Sequence, residues 1–150
     1  MPTEAMDRAA RLLLVYSLLA FAAVIGLGML RASPAHLAMD TDPAVVQALQ
    51  SFHAHLDSLG WLGAAALGAA LRLLAPAYRG PAWAPRTLAL SYAAGAALFP
   101  VAYAAKGIGL RLGAGVLVRL ASPLLASLGG LSLLVAGGCA LVVAWRVVRR

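Results

Sequence analysis

The sequence predicts an all-α integral membrane protein, an up-down bundle of four transmembrane helices with both termini in the cytoplasm. Three observations carry this expectation. Hydrophobic residues make up 63% of the 150 and charged residues only 11%, less than half of the roughly 25% with which a soluble domain wets its surface. Mean hydropathy is correspondingly high, at +0.88. The apolar residues are also gathered into four runs, each close to the ~20 residues that cross a hydrocarbon core of about 30 Å. Finally, the cations collect in alternate connections, the pattern that orients membrane helices. A soluble enzyme and a disordered chain are excluded by the same composition. One domain, residues 1–150, accounts for the whole length.

The first span runs from about Leu12 to Leu30, behind Arg8 and Arg11. Its apolar run is longer than the roughly 7–15 residues of a secretory signal core. Glu4 and Asp7 stand where such a leader is basic, and Arg31-Ala32-Ser33-Pro34-Ala35 makes a poor cleavage site. A retained helix is expected. In the loop that follows, Asp42-Pro43 reads as an N-cap and a proline at the first helical position. A helix begun there, through Val45, Val46, Leu49 and Phe52, can run straight into the second span, about Phe52 to Leu74. Pro76 to Arg86, with three prolines and a glycine, is expected to be a tight non-helical link. The third span covers about Thr87 to Ala105 and the fourth about Leu124 to Trp145. Between them, Lys106 to Ser122 either extends a tilted helix or lies in the interface. Every span has to be helical, because an isolated strand in lipid leaves its backbone unpaired.

Arg8, Arg11, Arg72, Arg79, Arg86, Arg146, Arg149 and Arg150 fall on one side of this arrangement, against Arg31, Lys106, Arg111 and Arg119 on the other. Eight against four places both termini in the cytoplasm. Abundant Ala and Gly with a single Lys suggest a GC-rich bacterial genome, and hence the bacterial inner (cytoplasmic) membrane. The net charge of +7 is spread over span ends and forms no basic stripe, so no nucleic-acid partner is expected. With Cys139 as the sole cysteine, an intrachain disulfide and a CxxC metal site are both excluded.

All three histidines and three of the five acids lie within residues 36 to 57. Ionisable groups at the start of a membrane helix are expensive and point to function; the bland alternative is a polar patch at headgroup level. His53 and Asp57 are four apart, share a helix face and can hydrogen-bond, an arrangement in which a carboxylate orients a ligating imidazole. His55 points about 200° away from His53, so the two cannot chelate one ion as a pair. His36, with Asp40 four residues later, belongs to the same external side. His36, His53 and His55 thus form a candidate zinc or copper site, although no HExxH or CxxC spacing is present. Gly60, Ala64 and Gly68 make a small-residue stripe for close helix approach. Together with Gly130 and Gly137 it predicts a homodimer or a larger membrane complex. Tyr92, Tyr103, Trp83 and Trp145 read as interfacial anchors.

The segment His53-Ala54-His55-Leu56-Asp57-Ser58-Leu59-Gly60-Trp61 resembles small four-helix bacterial membrane proteins related to subunit I of haem-copper oxidases and nitric oxide reductases. Their segment reads HAHLNLLGW, and seven of the nine positions agree. The resemblance covers under a quarter of the chain. It implies a b-type haem, with His55 as an axial ligand, His53 as the extra upstream histidine, and Asp57 where the family has Asn. The third and fourth spans contain no histidine, so reduction of oxygen or nitric oxide by this chain alone is not expected. The function read from the sequence is a small membrane protein binding haem or a metal at its external side, accessory to respiratory chemistry. A cofactor-free structural or assembly subunit is the alternative, and a small transporter or channel using Asp57 is a third.

Overall fold

The computed structural model of the chain describes residues 2–31, 42–113 and 115–149. These residues are almost wholly helical, and no strand occurs among them. Helix α1 is Pro2–Arg31. Next come α2, Pro43–His55, a π-helical stretch, Leu56–Gly63, α3, Ala64–Leu74, and a 3₁₀ turn, Ala75–Ala77. They form one unbroken rod, Pro43–Ala77, of 35 residues. Helix α4 is Trp83–Arg111 and α5 is Gly115–Val148. Among the described residues four helices are long and apolar enough to cross a membrane, as the hydropathy predicts.

Local chemistry sets the boundaries. The Asp42 carboxylate accepts the Ala44 N–H at 2.8 Å, and Pro43 occupies the first turn, where its missing N–H costs nothing. The expected helix start therefore forms and does run into the second span. The link after that span is shorter than Pro76 to Arg86: only residues 78–82 are outside helix, because Pro76 fits a 3₁₀ turn and Pro85 sits in the first turn of α4. Within the link the Tyr78 hydroxyl donates to the Pro81 carbonyl at 2.8 Å. A Cβ on Gly80 would come within 2.6 Å of Tyr78 Cζ, so a glycine is needed to close the turn over the ring. Between the last two spans α4 continues to Arg111 and α5 begins at Gly115. The open question about residues 106–122 is thus answered by two extended helices. The chain turns at Gly113, whose φ of +68° suits glycine and strains other residues.

Close approaches fix the topology. A methyl on Gly68 would lie 3.2 Å from the Ala10 carbonyl oxygen, and one on Gly60 would lie 3.1 Å from Ala20 Cβ; α1 and the second rod are antiparallel. Tyr92 meets Leu59 while Gly107 lies against Ala48, so the rod and α4 are antiparallel too. Gly95 packs on Gly129 and Leu133, and Ser122 donates to the Ala102 carbonyl at 2.9 Å, which makes α4 and α5 antiparallel. The up-down bundle expected from the sequence is therefore present. α4 is its hub, packed against α1, α2 and α5.

The core is concentrated at one end. Met6, Leu13, Leu71, Tyr78, Leu88 and Val143 are buried there, and Cys139 joins them. This is the end that holds the first residues of α1, the Tyr78 link and the last turns of α5. Away from it, the buried apolar residues are mostly small ones such as Ala20, Ala48, Ala96 and Ala102.

Candidate functional site

At ~1.5 Å per residue the 35-residue rod is about 52 Å long, well over the ~30 Å of a hydrocarbon core. Counting ~20 residues back from Leu74 places His55 at the far boundary of that core. The first turns of α2 then project beyond it, against the last turns of α4. His53, His55 and Asp57 therefore sit at the end opposite the dense core.

His55 is held on three sides. Its Nδ1 lies 2.7 Å from the Ser51 carbonyl oxygen. A carbonyl can only accept, so Nδ1 carries the hydrogen and, in the neutral ring, Nε2 keeps its lone pair. The imidazole stacks on Tyr103, with ring centres 4.8 Å apart and planes at 26°. It also lies parallel to Phe99, at 5.7 Å and 1°. Phe99 and Tyr103 are one helical turn apart on α4, so a single face of that helix presents both rings.

Directly after His55 the rod widens into a π-helix of eight residues, where most π-helical insertions are single turns. Two side chains compete with the helical ladder at its start: the His55 ring takes the Ser51 carbonyl, and the Ser58 hydroxyl donates to the Ala54 carbonyl at 2.7 Å. Such back-bonding to the preceding turn weakens and bends helices. Downstream, the Ala64 N–H closes a tight bond to the Trp61 carbonyl, and the Tyr92 hydroxyl of α4 donates to the Leu59 carbonyl at 3.0 Å. Gly63 makes room for that hydroxyl, since a Cβ there would collide with it. Trp61, in the same stretch, packs on Phe21 of α1 with ring centres 4.4 Å apart. Frequent association of π-helical segments with functional sites adds weight to this part of the rod.

His53 and Asp57 are not joined by a hydrogen bond among the described residues; His53 Nδ1 is buried and has no partner there. Asp57 belongs to the widened segment, and no ion pair holds it among those residues. The expected orienting contact is thus absent from this arrangement. His36 and Asp40 lie outside the described residues. Among those described, no three His, Cys, Asp or Glu side chains gather into a metal-binding group.

Several residues change role against the sequence reading. Tyr92 and Tyr103, expected as interfacial anchors, also make contacts within the bundle: Tyr92 donates to the Leu59 carbonyl and Tyr103 stacks on His55 at the boundary of the core. Phe99 carries no polar atom to mark it in the sequence; its spacing of four from Tyr103 is the available signal. Trp83 and Trp145 do remain exposed near helix ends. The Gly60, Ala64 and Gly68 stripe is occupied within the chain, covered by α1. Gly137 and Gly138 of α5, in contrast, have no neighbouring atom within reach of an added Cβ.

Fold and site together define, among the described residues, an almost wholly helical arrangement with four membrane-suited helices and an aromatic-clasped imidazole beside a π-helical segment. Compared with known proteins, the chain matches no family model, no curated protein and no solved structure.

Proposed function

We propose that this chain is a multi-pass protein of the bacterial inner membrane that offers one imidazole, His55, as an axial ligand to a b-type haem at the external end of its second helix. The observation that supports it is the Nδ1–H bond to the Ser51 carbonyl, which leaves Nε2 as the free donor atom. A backbone acceptor on the other ring nitrogen is the usual device for orienting a ligating histidine. The residues present fit one axial bond. α4 and α5 hold no histidine, so the second bond comes from a non-histidine ligand or from His55 of a symmetry-related copy, the simplest source of another imidazole. The open Gly137-Gly138 face is where α5 can approach such a copy closely. A b-type haem supplies one-electron redox chemistry. The chain's own residues hold the imidazole: Ser51 fixes its tautomer while Phe99 and Tyr103 fix its plane. His53 and Asp57 flank the ligand, and a role accessory to respiratory chemistry follows from the resemblance of the His53–Trp61 segment.

Absorbance of the purified protein tests this reading. A Soret band that His55→Ala abolishes is the expected result, with crosslinked dimers in native membranes. A colourless, metal-free protein overturns it in favour of a cofactor-free structural subunit. That second reading has its own support in the stacking of His55 on two rings, a packing role that needs no ligand. Termini in the cytoplasm are proposed from the cation count; a reporter fused at Pro34 that reads cytoplasmic would reverse the orientation.

A further inference from the structure

At the end opposite His55, a cleft of about 880 Å³ lies between α1 and the start of α4. Its back wall is made of small side chains, among them Ala9 and Ala89, which are buried. At its outer rim stand two guanidiniums, Arg8 from α1 and Arg86 from α4, beside the Thr87 hydroxyl. One turn deeper along each helix, about 6 Å, the lining becomes Leu12 and Leu90, which are 37% and 49% exposed on helices suited to face lipid. Trp83, 56% exposed, flanks the rim, at the depth where indole rings gather at membrane surfaces.

We propose that this cleft binds one anionic phospholipid, with its phosphate between Arg8 and Arg86 and an acyl chain descending over Leu12 and Leu90. The order of polarity carries the argument. Cations at the rim, small side chains that widen the groove, and exposed leucines one turn below match an amphiphile whose charged and apolar ends are joined. A free anion would use the rim alone, and an acidic peptide would gain nothing from leucines at hydrocarbon depth. Basic pockets between membrane helices recognise anionic headgroups in this way. Glu4 holds Arg8 at 2.8 Å on the exposed side. With five N–H donors, Arg8 can keep that contact and still turn donors to a phosphate. Arg86 lies at the first turns of α4, where the partial positive charge of the helix end also favours an anion.

Native mass spectrometry of the full chain in mild detergent, titrated with phosphatidylglycerol or phosphatidylcholine, tests the assignment. Saturable retention of one phosphatidylglycerol is expected, with phosphatidylcholine about tenfold weaker. The double variant Arg8→Ala/Arg86→Ala should lose about tenfold or more in phosphatidylglycerol affinity. Arg72→Ala, an exposed arginine outside the cleft, should retain it. Should the double variant not fold, Ala5→Phe places a ring at the mouth of the cleft without removing either charge and should also displace the lipid. The proposal is overturned if both lipids bind equally, if the Arg8/Arg86 or Ala5 variants bind like the parent chain, or if glycerol phosphate without acyl chains competes as well as the lipid does.

Discussion

The two ends of the bundle are built on different principles. The end with the chain termini is closed by large apolar side chains: Met6, Leu13, Leu71, Tyr78 and Leu88 are all essentially inaccessible, and the link at residues 78–82 folds over its own tyrosine. Burial holds the Tyr78 phenol above its ordinary value near 10, with Arg146 acting in the opposite sense. The His55 end is held by directional contacts instead: an imidazole clasped by two rings, a carbonyl met by a tyrosine across helices, and a helix widened to allow both. Dense packing gives stability that is hard to reshape. Directional contacts around a widened helix fix the orientation of one imidazole without dense packing by large side chains. Stability and candidate function are thereby separated along one axis.

Substitutions at each end sharpen this contrast. The largest effect is expected for Tyr78→Ala, which empties a buried ring site and should cost about 3–5 kcal/mol in a denaturant titration in micelles, while leaving any Soret band of the folded fraction unchanged. A smaller cost, about 1–3 kcal/mol, is expected for Gly63→Ala, because the new methyl runs into the Tyr92 hydroxyl. Made in a Tyr92→Phe background, the same change should cost distinctly less; equal costs in both backgrounds would remove the hydroxyl from the account. Tyr92→Phe alone gives up one interhelical hydrogen bond, for which about 0.5–1.5 kcal/mol is expected. Amide exchange should then quicken around Leu59 more than around Leu71. The least costly change is Arg149→Ala, which removes a guanidinium 3.8 Å above the Trp145 ring. At such an exposed position about 0.5 kcal/mol is expected, so a larger loss would mean that the end of α5 is bound to something else.

The four spans and the start of the second rod were legible in the sequence because hydropathy, length and capping are local properties. Asp42 caps Ala44 with no help from any other helix, and an apolar run of about 20 residues has no other economical home than a membrane. What the residues face was not legible. In a soluble helix an apolar stripe marks the buried side, but in lipid both the core and the surroundings are apolar, so α1 and α5 look much the same all round. The tertiary structure alone decided that Tyr92 reaches Leu59, that Phe99 and Tyr103 clasp His55, and that the Gly60–Gly68 stripe is covered by α1. The π-helical stretch belongs here as well, since it depends on side-chain back-bonding combined with a tyrosine supplied by another helix. So does the cleft, where Arg8 and Arg86 form no cluster along the chain and become one only because α1 and α4 start side by side. Composition and period fix what a membrane helix is; only packing, through contacts between residues distant in sequence, fixes which of its sides is the inside.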